Sequence, residues 1–233
     1  NLFGIHTKGK MICSQLNLLQ MIPKRFIRIW LGPKEIPELF QDWWQEFKNI
    51  HPDYEFITIT DNHNFKIPDY LLKIYNEVGS YAGRSDILRY VVLHQLGGIY
   101  IDTDVMPIKR FDHLLNSDKP FIAQRSSKSF EIAVIGSPPK HKALEDLFIS
   151  LPAWYQNHLE NSASVQTGPA FVSSVWFGRN DITHLPNTTF YPYNGFMAPK
   201  RNEKLEIFKN KKNFPENMVA AHFSNHRWGG KPK

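Results

Sequence analysis

The sequence predicts an α/β fold: a mixed, mostly parallel central sheet flanked by helices in a single domain. Short β-branched and aromatic runs alternate with longer amphipathic ones through the first half, in the order β-α-β-α-α-β. Gly and Pro stand where the period changes. With 233 residues, the chain can bury one substantial core, and no linker, repeat or low-complexity tract divides it.

FIRIWL (Phe26 to Leu31) reads as a strand, punctuated by Gly32-Pro33. Pro37 opens PELFQDWWQEFKNI, where Leu39, Phe40, Trp43, Trp44, Phe47 and Ile50 recur at helical spacing. Pro52-Asp53 stops it, and EFITIT (Glu55 to Thr60) is the next strand. Pro68 opens a helix through Val78, with Gly79 as its stop. In YAGRSDILRYVVLHQLGG, Ser85 is the expected N-cap and Ile87, Leu88, Val91, Val92 and Leu96 form an apolar stripe that Gly97 ends. GGIYIDTDV follows as a buried strand, and Pro107 is expected to stop its pairing. The second half is less regular. It offers a strand at Phe130 to Ile135, a helix from His141 to Leu151, a Thr167-Gly168-Pro169 turn before an apolar helix or strand over Ala170 to Phe177, and MVAAHFSNHRW (Met218 to Trp228) as a short strand running into a polar turn.

The excess of 28 basic over 22 acidic residues is modest, suiting an anionic ligand or membrane surface more than a nucleic-acid groove. The basic cluster Lys200, Arg201, Lys204, Lys209, Lys211 and Lys212 lies among Glu203 and Glu206 and reads as a solvated face. Cys13 is the only cysteine, so no intrachain disulfide forms and a thiolate zinc site is disfavoured; a reducing, cytoplasmic setting is the expectation, with peripheral membrane contact left open. No apolar run approaches the roughly 20 residues of a membrane span. Residues 1–20 read as an N-terminal arm, weakly apolar and without a signal-peptide cleavage pattern, before a domain over 21–233.

One feature is out of place in a buried strand. Asp102 and Asp104, two residues apart, would face the same way with Cα atoms about 6.5 Å apart. At an effective dielectric near 20, two ionised carboxylates at that distance repel by about 2–3 kcal/mol. Water at an exposed edge relieves this, and so does a cation between them. The apolar flanks favour a central strand, and ligands of parallel sheets bind beyond the strands' carboxyl ends. Asp86 and Arg89 share a helix face leading to that same end. By themselves they would be a local ion pair worth a few tenths of a kcal/mol. A few hard oxygen ligands suit Mg²⁺ or Mn²⁺ completed by substrate phosphates.

These blocks, IPKRFIRIWLGP (22–33), NIHPDYEF (49–56), YAGRSDILRYVVLHQLGGIYIDTDV (81–105) and TGP (167–169), resemble the DXD-containing glycosyltransferases of family 32, closely from Ile22 to Pro107 and thinly afterwards. That family includes fungal initiating α-1,6-mannosyltransferases and bacterial capsule and lipopolysaccharide sugar transferases, and shares its core with the glucosylating clostridial toxins. The resemblance implies a GT-A fold and a metal-dependent, retaining transfer of a hexose from a UDP- or GDP-sugar to a glycan, lipid or protein hydroxyl. It further implies Trp30 and Tyr100 at the nucleotide side, Asp86 and Arg89 on the donor's sugar and phosphate, Asp102 on the ribose, sugar or metal, and Asp104 on the metal. His222 is implied as a further metal contact, with His226 as its alternative, since HFSNHRW has Arg227 where the family's closing motif has serine before Trp228. Glu131-Ile132-Ala133-Val134 stands where the family carries an asparagine. A nucleotide-sugar or glycan-binding module that has kept the fold is the alternative from another class. A haloacid-dehalogenase-type phosphatase lacks its later acidic pair here, and no G-x-G-x-x-G follows a strand.

Overall fold

The computed structural model describes residues 21–193, 200–210 and 214–224. The N-terminal arm with Cys13, and also His226, Arg227 and Trp228, lie outside them. In chain order the first half forms strand β1 (Arg25–Ile29), helix α1 (Glu38–Ile50), β2 (Glu55–Ile59), α2 (Asp69–Glu77), α3 (Tyr81–Leu96), β3 (Gly98–Ile101) and β4 (Val105–Pro107). The second half adds α4 (Asp112–Leu115), β5 (Phe121–Ser126), β6 (Ser129–Ser137), α5 (Lys142–Gln156), α6 (Ala163–Gln166), α7 (Pro169–Trp176), β7 (Thr183–Leu185), a 3₁₀ turn (Asn187–Thr189), α8 (Arg201–Lys209) and β8 (Ala220–His222).

Six strands form one sheet in the order β2-β1-β3-β6-β5-β7. β1 pairs in parallel with β2 and β3, and β5 with β7, whereas β6 is antiparallel to both its neighbours. The sheet is therefore mostly parallel with β6 reversed. The reversal brings the first residues of β6 and the last of β5 to the edge where β1 and β3 end.

Each face of the sheet is covered. On one, α3, α5 and α7 pack around Leu88, Val92, Leu144, Phe171 and Trp176. On the other, Trp44 and Phe47 of α1 meet Phe26, Phe111 and Phe190. Helix α3 is buried beyond its predicted stripe, with Tyr90 and Leu93 also enclosed, because α5 packs outside it. Its N-cap is Ser80 rather than the expected Ser85: the Ser80 hydroxyl accepts from the Gly83 N–H, and Ser85 lies one turn inside the helix. Gly97 ends the helix at φ +64°, a conformation that a side chain would strain. Pro152 sits inside α5, which continues past the predicted Leu151 to Gln156.

Two expectations about the aspartate segment are corrected. GGIYIDTDV is not one strand: β3 stops at Ile101, and Val105 N–H donates to the Asp102 carbonyl at 3.1 Å, closing a turn over Asp102 to Val105. Strand alternation therefore does not orient the two carboxylates. Nor does Pro107 prevent pairing. β4 and β8 form a separate antiparallel ribbon, with Val105 opposite His222, Met106 opposite Ala221 and Pro107 opposite Ala220. Pro107 is tolerated at the end of a two-stranded edge. The solvated-face reading of the C-terminal cluster fails at Lys204, which is 7% exposed, its stem enclosed where α8 packs beside β8.

Packing is tight where β5 meets β6. A Cβ added at Gly136 would come within 2.1 Å of the Phe121 ring. Gly136→Ala is expected to destabilise the fold by about 1–3 kcal/mol through overpacking, read as a lower urea midpoint at unchanged m-value.

Candidate active site

β1 and β3 end side by side and deliver Trp30 and Asp102 to the same edge. Asp102 is anchored by its own N–H, which donates to the Ala133 carbonyl at 2.7 Å. The turn that follows carries Thr103 inward, its hydroxyl donating to the Ile29 carbonyl at 3.2 Å. The β4–β8 ribbon then sets His222 beside Asp104: Nε2 lies 3.2 Å from Asp104 Oδ1 and 3.8 Å from Asp102 Oδ2. Asp102, Asp104 and His222 each present a ligand atom, all within 4.8 Å of one another.

Behind this group lies a buried ion network. Arg89, nearly enclosed, meets Asp86 Oδ1 through Nη2 at 2.9 Å and Asp102 Oδ1 through Nη1 at 3.1 Å. Nη1 also donates to the Ile132 carbonyl at 2.8 Å, and the guanidinium lies 4.3 Å from the centre of the Tyr100 ring. Tyr100 O–H donates to Asp102 Oδ1 at 2.6 Å, and Thr167 O–H to Asp86 Oδ2 at 2.9 Å. Asp86 and Arg89 are thus far more than the local surface pair their spacing alone suggests. Burial pushes the Asp86 carboxyl up to about 6, against the opposing pull of Arg89 and Thr167. Burial also works against the charge of Arg89, yet Tyr100, Asp102 and Asp86 outweigh it and hold the guanidinium well above its ordinary range. His222 shows the same contest. Burial disfavours its protonated form, but the Asp104 carboxylate beside it raises the imidazole above its usual value.

A cavity of about 430 Å³ opens over these residues. All seven residues singled out from the sequence line it: Trp30, Asp86, Arg89, Tyr100, Asp102, Asp104 and His222. Trp30 is largely enclosed, its indole N–H donating to the Lys34 carbonyl, and it contributes to the cavity wall. Three residues were not assigned from the sequence. Thr167, in the quoted TGP block, fixes Asp86, and the next residue is small for cause: a Cβ at Gly168 would come within 3.2 Å of Asp86 Oδ2. Lys204 points Nζ at the carbonyls of Phe223 and Ser224, and burial lowers its ammonium against the attraction of Asp104. Glu131, at the start of the reversed strand, sits 3.3 Å from Arg125 Nε on β5; burial raises its carboxyl, with Arg125 and His222 opposing. The signal for Glu131 was its place in the strand where an asparagine was expected. Lys204 had none, since spacing among charges does not report burial.

The family described as "Glycosyltransferase sugar-binding region containing DXD motif" matches residues 37–121. The chain is similar to Inositol phosphoceramide mannosyltransferase 3 of Schizosaccharomyces pombe, 28% identical over 218 residues, covering 89% of this chain and 60% of that protein. It is also similar to an uncharacterized glycosyltransferase of Acanthamoeba polyphaga mimivirus, 31% identical over 190 residues, 75% of this chain and 74% of that one. Among solved structures, the PaToxG glycosyltransferase superposes with a TM-score of 0.59 at 18% identity, covering 89% of this chain and 83% of that one, which shows a shared GT-A fold. The chain spans about three-fifths of the length of the fission-yeast relative.

Removing the buried cation would leave Asp86 and Asp102 uncompensated. Arg89→Met is expected to cost about 3–5 kcal/mol in chemical denaturation. A loss below about 1 kcal/mol would show that the network does not hold α3 to the sheet.

Proposed function

The chain belongs to the glycosyltransferases whose sugar-binding region contains a DXD motif, and on that premise we propose that it moves a hexose from a UDP- or GDP-sugar to a hydroxyl of a glycan, lipid or protein acceptor, with a divalent cation and with retention at the anomeric carbon. The observation that carries the reading is the meeting of Asp102, Asp104 and His222 in the wall of a cavity that Asp86 and Arg89 also line. Two carboxylates and an imidazole within 4.8 Å of one another form a hard, thiolate-free donor set, which fits Mn²⁺ or Mg²⁺ and leaves coordination positions for diphosphate oxygens and water. Asp104 and His222 would hold the ion, with Asp102 Oδ2 turned the same way. Bound there, the cation supplies charge neutralisation to the departing diphosphate.

The chain's own residues do the rest. Tyr100 and Arg89 both engage Asp102 Oδ1, so Asp102 is held in one orientation toward ribose or sugar while its second oxygen faces His222. Asp86 and Arg89 set the donor's sugar and phosphate side, and the positive charge of Arg89 adds stabilisation near the leaving group. Trp30 borders the nucleotide base. Transfer runs on the front face. The bond from the anomeric carbon to the phosphate oxygen breaks as the acceptor oxygen bonds on the same side, and the acceptor's proton leaves with that phosphate oxygen. The fission-yeast relative's name supports a hexose such as mannose and a lipid acceptor of the inositol phosphoceramide type. Residues 21–233 would form one catalytic domain working in the cytoplasm, with contact at a membrane surface. No helix among the described residues is long and apolar enough to cross a membrane.

The test is thermal unfolding against UDP- and GDP-sugars with and without Mn²⁺, followed by nucleotide release. Binding to the native state at a hundredfold excess over Kd stabilises by about 2.7 kcal/mol. A Mn²⁺-dependent rise with one nucleotide class, and transfer falling below about a tenth in Asp104→Ala, is the expected result. Stabilisation without any nucleotide release would instead identify a binding module.

A further inference from the structure

His222 is held at both ring nitrogens. Nε2 faces the aspartates, 3.2 Å from Asp104 Oδ1, while Nδ1 lies 3.1 Å from the hydroxyl of Ser224. The His222 N–H donates to the Phe190 carbonyl at 2.8 Å, and the Tyr191 ring stands perpendicular to the imidazole with centroids 5.6 Å apart. Those two contacts fix the backbone and the ring plane but not which way round the ring sits. A flip would put a C–H where Nε2 meets the aspartates and another where Nδ1 meets Ser224. The Ser224 hydroxyl opposes that flip.

Ser224 reaches this place through an uncommon backbone. Its φ is +53°, in the left-handed region that residues other than glycine seldom enter. The two carbonyls that flank this torsion, those of Phe223 and Ser224, converge on one ammonium. Lys204 Nζ donates to them at 3.3 and 3.4 Å. In extended backbone, successive carbonyls point to opposite sides and could not share a donor in this way. Lys204 is 7% exposed, and among the described residues its hydrogen bonds go to these carbonyls and to no carboxylate. A buried ammonium is costly unless its donors are used. Helix α8 brings it there, with Phe208 packed edge-to-face on Phe223 at 5.0 Å. The Phe223 N–H also donates to the Asp104 carbonyl at 2.9 Å, so the turn is tied to the backbone of the aspartate it adjoins. Lys204, His222 and Ser224 all line the cavity with Asp104.

We propose that Lys204 and Ser224 are positioning residues for the cation site: the ammonium gathers the two carbonyls, the left-handed turn this stabilises sets the Ser224 hydroxyl on His222 Nδ1, and Nε2 is thereby kept toward Asp104 and Asp102. The inference rests on the cation-dependent transferase reading above and adds the residues that hold its imidazole. When Nε2 is a metal ligand the imidazole is neutral, its proton is on Nδ1, and that N–H donates to the Ser224 oxygen.

The experiment is Mn²⁺ binding, read from the electron paramagnetic resonance of free Mn²⁺ titrated into the protein alone and again with UDP or GDP. Loss of a hydrogen bond that orients a metal-binding histidine weakens metal affinity by about 10–100-fold. Ser224→Gly removes the hydroxyl yet accepts the positive φ without strain, so its thermal midpoint should stay within about 2 °C of the wild type while the Kd for Mn²⁺ rises at least about tenfold. Lys204→Met keeps the buried stem, removes the ammonium and should raise the Kd in the same direction. Excess Mn²⁺ should restore turnover in Ser224→Gly; turnover that it does not restore marks a structural role and overturns the inference. An unchanged Kd in either variant, when the wild type binds Mn²⁺, overturns this inference alone. A wild-type protein that binds no Mn²⁺ with either nucleotide overturns the cation reading and this one with it.

Discussion

The deepest part of the site is organised around one buried cation, Arg89. Arg89 meets Asp86 on its own helix α3, the Tyr100 ring of β3, Asp102 just beyond β3 and the Ile132 carbonyl of β6. Taking a guanidinium out of water costs several kcal/mol unless its hydrogen-bonding capacity is met. Here two carboxylates, a carbonyl and the face of Tyr100 meet it. The same contacts decide where Asp86 and Asp102 can be. Their positions are therefore a consequence of solvating Arg89 within the protein. This explains why an i, i+3 pair of apparently local character belongs to the deepest part of the fold.

Topology supplies the second constraint. An entirely parallel sheet would bring only strand ends to its carboxyl edge, followed by loops. Because β6 runs the other way, its opening residues arrive at that edge already held in a strand, and the Ala133 carbonyl is there to receive the Asp102 N–H. A site built partly on strands holds its geometry more closely than one built on loops alone. The reversed strand also meets the ion network, since Ile132 offers its carbonyl to Arg89.

The first half of the fold was legible because its hydrophobic periods are long and its Gly and Pro punctuation is clear. α1, β2 and α2 fall within a residue of where PELFQDWWQEFKNI, EFITIT and the Pro68 helix put them. Short elements were not legible. α4, α6 and β7 have three or four residues each, too few to show a period, and their place is set by tertiary contacts. At the site, the acidic and basic residues were readable as a set, but their geometry was not. Asp102 and Asp104 converge through a turn and a ribbon rather than by strand alternation, and Lys204 is buried by α8 packing that no local charge pattern announces. Thr167 was quoted within a motif, yet only the packing of α6 and α7 on α3 reveals that its hydroxyl belongs to Asp86.

The β4–β8 ribbon has three paired positions, and side-chain direction alternates along each strand. A slip of one residue in β8 would turn His222 into the apolar cluster of Met106, Met218 and Phe223 and bring Ala221 up beside Asp104. Register is therefore the variable on which the position of His222 beside Asp104 depends. It is guarded less by the hydrogen bonds, which a slipped ribbon could largely remake, than by the cost of burying an imidazole where an alanine fits. Insertions or deletions between α8 and β8 would be tolerated only when they leave that pairing in phase.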